Sequence, residues 1–252
     1  MIEIFILSLI QGITEFLPIS SSSHLILASE YLNFENKSLS IDVSLHIGSF
    51  LAVIFFFYKE IINFYKNRIL FLKILVSSIP IMIFGFFLIK TNLIEELRNV
   101  KIIAWTTIIF GVLLYISDKC KLSQNIKNNF SFKSAILIGT LQIFSLVPGV
   151  SRSGIGITAA RFLKFNREDS TKISFLLSIP ILGVLSLHGI SNIFFSTSID
   201  LSIINILSIL FSFFVSLITI KFFLAYVKRF NLKIFVYYRV LLGLLLLYFA
   251  YL

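Results

Sequence analysis

Two apolar stretches of this chain are interrupted where a membrane-crossing helix would have to continue, and six others are not. The uninterrupted ones are residues 41–58, 69–89, 102–117, 173–195, 201–226 and 234–252. A helix that crosses a hydrocarbon layer takes roughly 20 mostly apolar residues, so each of the six is near spanning length. Composition agrees: 58% of the residues are hydrophobic and 13% are charged, with a mean hydropathy of +0.98. A soluble domain carries about 25% charged residues, so too little polar surface is present to cover a water-facing globule. A soluble enzyme, a disordered tail and a disulfide scaffold are excluded. An all-α integral membrane protein is predicted.

In the first interrupted stretch, residues 1–17 run into Pro18 and the hydroxyl run Ser20-Ser21-Ser22-Ser23, and a short apolar piece follows at 24–32. In the second, residues 134–147 run into Pro148-Gly149 and Ser151-Arg152-Ser153-Gly154, and a short piece follows at 155–165. Pieces of about 10 residues rise only about 15 Å and cannot cross a hydrocarbon core of about 30 Å. Each region therefore reads as a hairpin that enters the membrane and returns, 1–32 and 134–165. Irregular backbone at that depth is tolerated only where protein or a wet cavity surrounds it. The prediction is about six full transmembrane helices plus two re-entrant helix-loop-helix hairpins, all in a single membrane domain over 1–252.

Lys and Arg number 22 against 12 Asp and Glu, a formal net charge of +10. In a chain of spans this excess reads as cytoplasmic loops that fix topology, with attraction to anionic membrane lipids and no nucleic-acid partner. Segments 59–73, 118–133, 161–172 and 226–234 hold 15 basic residues, whereas 33–42, 90–101 and 196–200 hold 4. The first set is expected inside. The spans then alternate only if 1–32 enters from outside and 134–165 from the cytoplasmic side. No cleavable signal peptide is expected, because the first 36 residues carry no Lys or Arg. Cys120 is the one cysteine, so no intrachain disulfide can form.

Hairpins entering from opposite faces suggest an inverted-topology repeat, with units at about 1–117 and 133–252. At a constant offset of 131, Gln11 matches Gln142, Ser20 matches Ser151 and Ser22 matches Ser153. Apolar matches follow the same register, among them Ala28 with Ala159, Leu32 with Leu163, Phe34 with Phe165 and Leu45 with Leu176. Inverted repeats place polar sites near the bilayer midplane, where broken helices point their ends at a ligand. Pro80 and Pro180 lie mid-span in matching Ser-Ile-Pro-Ile strings outside this register and are expected to kink their helices.

Ionisable residues at membrane depth are functional candidates by default. Glu15 and His24 flank the first break, and Arg152 sits inside the second. Gln11 and Glu15 are four apart, so they share one helix face. Arg152, the hydroxyls around it and a helix N-terminus would cradle a phosphate-type oxyanion. A carboxylate beside a phosphate makes sense mainly with a divalent cation between them. His24 and the serines supply candidates for nucleophile and proton transfer. Arg152 paired with Glu15 as a purely structural bond is the alternative. His46 and His188 lie on otherwise apolar spans and read as packing residues, and Glu30 reads as solvated.

The run from Gln11 to His24, QGITEFLPISSSSH, resembles the (E/Q)xxxE-FLPxSSxxH signature of the bacterial undecaprenyl-diphosphate phosphatases, the bacitracin-resistance family. Pro148–Ser153, PGVSRS, resembles that family's second signature, PGxSRS. Order, spacing, length and hydropathy all fit. The resemblance implies hydrolysis of undecaprenyl diphosphate to the monophosphate, recycling the lipid carrier for peptidoglycan and other envelope polymers. It implies a bacterial inner-membrane enzyme with its active site open to the extracytoplasmic side and a divalent cation, Mg²⁺ or Ca²⁺. Membrane lipids are expected neighbours, bacitracin competes for the polyprenyl diphosphate substrate, and a homodimer is allowed.

Carried over by motif position, Gln11 and Glu15 would associate with the cation, and Glu15, Ser21, His24 and Arg152 would be catalytic. The diphosphate would rest on Ser20, Ser22, Ser151, Arg152, Ser153 and Gly154. Ser21 with His24 as base, His24 itself, and water all remain open as the attacking group. Two departures stand out. Gln11 takes the neutral option of the E/Q position, and Ser22 and Ser23 stand where relatives often have Thr and Gly. A solute carrier built from the same elements is the rival class. The membrane acid phosphatases would need a His at 158, where Thr158 stands.

Overall fold

The computed structural model describes residues 2–31, 39–65, 67–91, 96–195 and 203–252. Its ten principal helices fall into two sets of five. The first set is α1 (Ile2–Thr14), α2 (Ser21–Tyr31), α3 (Leu39–Phe56), α4 (Arg68–Lys90) and α5 (Val100–Asp118). The second set is α6 (Phe132–Gln142), α7 (Arg152–Phe162), α8 (Arg167–Phe195), α9 (Ile203–Arg229) and α10 (Lys233–Tyr251). Each of the six expected spans is a helix. Among the described residues, five helices are long and apolar enough to cross a membrane, namely α4, α5, α8, α9 and α10. The sixth, α3, has 18 residues and is shorter. Pro80 and Pro180 sit inside α4 and α8 without ending them. Leu32, Phe34 and segment 196–200 lie outside the described residues, as does the Glu30 side chain.

The broken regions are short helix pairs. α1 has 13 residues, and α2, α6 and α7 have 11 each. At 1.5 Å per residue none exceeds about 20 Å, so none crosses alone. The breaks are built alike. Ser20 (φ 79°) precedes α2 and Ser151 (φ 70°) precedes α7. These two serines, 131 residues apart in sequence, share a left-handed backbone that side chains rarely adopt. In the second break Gly149 also has a positive φ of 95° and packs so closely on α5 that a Cβ would stand 2.0 Å from Thr106 Oγ1. Thr106 Oγ1 donates to the Pro148 carbonyl at 2.6 Å, which ties the break to α5.

Packing pairs the two sets. α3 lies against α8 and α9, and α5 against α10. α1 packs on α9, α6 packs on α4, and α7 packs on α8 and α5. Both hairpins approach their span through a glycine: a Cβ on Gly12 would stand 2.7 Å from Val215 Cβ, and one on Gly139 would stand 1.9 Å from the Ser77 carbonyl oxygen. Gly139→Ala must therefore push α6 off α4. Overpacking of this kind costs about 1–3 kcal/mol, so a lower unfolding temperature in detergent is expected, and an unchanged one would contradict this contact.

The core reaches the first break. Phe16, next to Glu15, is 1% exposed and meets Phe175 edge-on with ring centroids 5.3 Å apart. Phe175 continues to Phe223 and Phe223 to Phe235, so α8, α9 and α10 all anchor this turn. At one end of the bundle the four basic segments touch each other. Asp118 accepts from Arg167 Nε at 2.7 Å and from the Leu232 backbone N–H at 3.2 Å, and lies 3.5 Å from Arg161. Lys172 pairs with Glu60 at 2.7 Å, and Lys73 donates to the Phe130 carbonyl. The segments grouped by charge in the sequence thus share one face.

Candidate active site

The two breaks meet. Ser153 Oγ donates to the Leu17 carbonyl at 2.8 Å, and the Arg152 guanidinium pairs with Glu15 Oε1. Both ionic side chains are largely enclosed: Arg152 is 14% exposed and Glu15 4%. An ion pair so placed persists only with further hydrogen bonds to its spare lone pairs. Glu15 has them. Its Oε2 accepts from Ser21 Oγ at 2.6 Å and from Gln11 Nε2 at 3.2 Å. One carboxylate therefore joins the cation of the second break to a hydroxyl of the first.

These groups face a cavity of about 520 Å³, whose wall includes Glu15, Ser21, Arg152, Asp42, His46 and Arg98. Ser20, Ser22 and Ser151 also line it. Ser153 and Gly154 act behind the wall. Ser151 Oγ caps α7 by accepting from the Gly154 N–H at 3.1 Å, and it lies 3.2 Å from Ser153 Oγ. The proton of Ser153 goes to Leu17, so Ser151 donates to Ser153. The capped N-terminus of α7, carrying Arg152 in its first turn, is suited to an anion.

His24 is not part of the cavity wall. Its Nδ1 lies 2.6 Å from the Ser20 carbonyl and its Nε2 2.6 Å from the Tyr238 hydroxyl. A carbonyl only accepts, so Nδ1 carries a proton, and in the neutral ring Nε2 accepts from Tyr238. The two rings are stacked at 5.7 Å with an interplanar angle of 13°. Ser21 is hydrogen-bonded to Glu15 and not to His24.

His46, read from sequence as a packing residue, is part of the cavity wall, and its Nδ1 lies 3.0 Å from Gln11 Nε2. His188 is exposed on α8. The Gln11 amide nitrogen is also 3.4 Å from Ser49 Oγ, while its carbonyl oxygen is buried without a hydrogen-bond partner among the described residues. Among the described residues no group of three or more His, Cys, Asp or Glu side chains is placed to hold a metal ion by itself. Glu15 Oε2 is the point where Ser21 Oγ and the Gln11 amide nitrogen converge.

Sequence reading also passed over Tyr238 and Arg239. Arg239 is fully buried on α10 and donates to carbonyls of both breaks. Its signal was present, since an arginine six residues into the stretch 234–252 is an ionisable group at membrane depth. Asp42, in the first turn of α3, and Arg98, two residues before α5, carried no such signal, because each stands at the edge of an apolar stretch.

The chain is similar to known proteins along nearly its whole length. An undecaprenyl-diphosphatase of Pelagibacter ubique (strain HTCC1062) is 47% identical over 251 residues, covering 99% of this chain and 98% of that protein. One from Alteromonas mediterranea is 40% identical over 263 residues, covering 99% and 98%. Another from Jannaschia sp. (strain CCS1) is 35% identical over 262 residues, covering 98% of each. The family model described as bacitracin resistance protein BacA matches residues 4–245, a stretch that includes both breaks and every residue of the cavity wall. With both the motifs and nearly the whole length matched, the chain belongs to the bacitracin resistance protein BacA family.

Proposed function

We infer that this chain hydrolyses undecaprenyl diphosphate to undecaprenyl phosphate and inorganic phosphate, regenerating a lipid carrier for envelope polymers. The observation that carries the reading is the contact of Arg152 with Glu15 and of Glu15 with Ser21. An oxyanion-binding cation, a carboxylate and a hydroxyl share one cavity inside an apolar bundle. The relatives' name and the family's link to bacitracin, which competes for the same diphosphate, fit that chemistry.

In the mechanism the geometry favours, the terminal phosphate enters beside Arg152 and the α7 N-terminus. Arg152 turns from Glu15 to the phosphate oxygens, which it can bind through two parallel N–H bonds. Ser21 Oγ attacks the terminal phosphorus while its proton passes to Glu15 Oε2, its partner at 2.6 Å. The bridging P–O bond breaks and undecaprenyl phosphate leaves. Water then attacks the phosphoserine, the Ser21 O–P bond breaks, the two protons of the water leave with inorganic phosphate, and the proton on Glu15 returns to Ser21 Oγ. Positioning and charge stabilisation dominate such transfers. His24 acts through the backbone, holding the Ser20 carbonyl while Tyr238 occupies its free nitrogen.

The charged side chains of the wall are two acids, Glu15 and Asp42, and two bases, Arg98 and Arg152. Their formal charges cancel, so an entering diphosphate brings uncompensated negative charge. This supports a divalent cation, Mg²⁺ or Ca²⁺, since both favour carboxylate, carbonyl and phosphate oxygens. Glu15 and Ser21 would hold such an ion, with Gln11 joining through its partnerless carbonyl once its amide turns over, and the ion when bound would neutralise phosphate oxygens.

Asp42, in the first turn of α3, and Arg98, two residues before α5, belong to the segments poor in basic residues, which supports a cavity open to the extracytoplasmic side of the inner membrane. Lipid tails would cover exposed faces such as Phe84, Phe86 and Phe87 of α4, and a homodimer contact would use such faces. In a Cys120→Ser background, Arg98→Cys is expected to react with a membrane-impermeant maleimide on intact cells. Labelling only after permeabilisation would reverse the orientation.

Phosphate release from farnesyl or undecaprenyl diphosphate in detergent, with and without chelator, tests the whole reading. The parent is expected to release phosphate and chelator to stop it. Glu15→Ala is expected to fall at least about 100-fold, the scale of a lost general base. A parent that binds the lipid and releases nothing would be a carrier.

A further inference from the structure

Arg239 lies at the middle of the site without touching the cavity. Its side chain is 0% exposed, and it is absent from the cavity wall. Its Nε donates to the Thr107 carbonyl at 3.1 Å, on α5. One terminal nitrogen donates to Pro18 of the first break at 3.2 Å. The other donates to Gly149 at 2.8 Å and to Val150 at 3.1 Å, in the second. Among the described residues it has no ion-pair partner.

A buried guanidinium without a carboxylate is expensive at this depth, so its hydrogen bonds must do something no cheaper side chain can. Where a helix stops, its last carbonyls lose their partners, and both breaks present such groups in an apolar interior. A carboxamide offers two N–H donors, whereas a guanidinium offers five in a rigid fork. Only the fork reaches three elements at once. The surroundings are shaped to it: a Cβ on Gly111 would stand 3.1 Å from Arg239 Cβ, and one on Gly154 would stand 3.0 Å from its NH1. The guanidinium therefore sits directly behind the first turn of α7, whose front carries Arg152.

We propose that Arg239 is a positioning residue for phosphoryl transfer, setting the distance between Ser21–Glu15 on one break and Arg152 on the other. This rests on the reading that those three residues perform the reaction. Lysine at 239 would keep the charge and lose the fork, so the breaks would shift relative to each other while the bundle stays closed. A displacement of about 1 Å in such a site costs up to about 100-fold in rate.

The test uses purified full-length protein in detergent and phosphate release from farnesyl diphosphate. Arg239→Lys is expected to lower kcat about 10- to 100-fold with KM changed less than about threefold, at an unfolding temperature close to the parent's. Gly111→Ala, which keeps the arginine but presses on its stem, is expected to move kcat in the same direction. A double-mutant cycle supplies the readout that a merely structural role would not move. If Arg239 acts through the placement of Arg152, then Arg152→Lys costs at least about fivefold less in the Arg239→Lys background than in the parent. Additive losses, or an Arg239→Lys enzyme with kcat within about threefold of the parent's, would overturn the proposal. A parent that releases no phosphate would instead overturn the phosphatase reading on which it rests.

Discussion

Arg152→Ala is expected to lower kcat/KM for phosphate release by hundreds-fold or more. The partner left behind is Glu15, 4% exposed and without its cation. Removing one member of a buried pair costs roughly 3–5 kcal/mol, and each 1.4 kcal/mol is about tenfold in rate. The substrate suffers as well, because the guanidinium that paired with Glu15 is the one that must meet the phosphate. Arg152→Lys separates the two losses: it keeps the charge but not the bidentate geometry, so it should recover stability more fully than turnover. Steady-state kinetics with thermal unfolding of the same preparations reads both. Near-normal hydrolysis by a folded Arg152→Ala protein would remove Arg152 from the reaction.

Ser21→Ala is expected to be more severe. If Ser21 carries the phosphoryl group, its removal leaves only the positioning and charge effects of the cavity, and a loss of about 10⁴-fold or more is in line with deleted nucleophiles elsewhere. The neighbours discriminate. Ser22 lines the cavity and lies 3.3 Å from Ser20 Oγ, but makes no hydrogen bond to Glu15. Ser22→Ala should stay within about tenfold of the parent, the effect of one uncharged hydrogen bond. His24→Ala should fall between the two, with part of the loss shared by Tyr238→Phe, because the first frees the Ser20 carbonyl and the second removes the hydroxyl that holds the same ring from its other nitrogen. Equal losses for Ser21→Ala and Ser22→Ala would argue against a nucleophilic serine.

The sequence made the outline of this site legible for a physical reason. Pro18 with four serines, and Pro148-Gly149 with Ser151-Arg152-Ser153, are polar interruptions in stretches where interruption is costly. Glu15 and Arg152 stood out as charges in such places, and they meet in the folded chain. What stayed hidden depends on rotation and on distant packing. A membrane helix is apolar nearly all round, so no stripe in α3 showed that His46 faces the cavity. The short separation of Ser21 and His24 suggested a partnership, yet the imidazole bonds to the Ser20 carbonyl and to Tyr238, 214 residues along the chain, and Ser21 bonds to Glu15. Span ends were also displaced. α8 begins at Arg167, six residues before the apolar stretch at 173, because its first turn extends past the hydrocarbon among Arg167, Glu168 and Asp169. Hydropathy does not register charged turns that project into the head-group layer.

The proposed mechanism puts the transferred phosphoryl group on Ser21, in a cavity lined by both breaks. Rapid acid quench of the enzyme turning over a prenyl diphosphate labelled in its terminal phosphate, followed by peptide mapping, addresses it directly. Acid-stable label on the peptide containing Ser21, lost in Ser21→Ala and greatly reduced in Arg152→Ala, is the expected result. Acid-labile label on His24, found in alkaline-quenched samples instead, would contradict it.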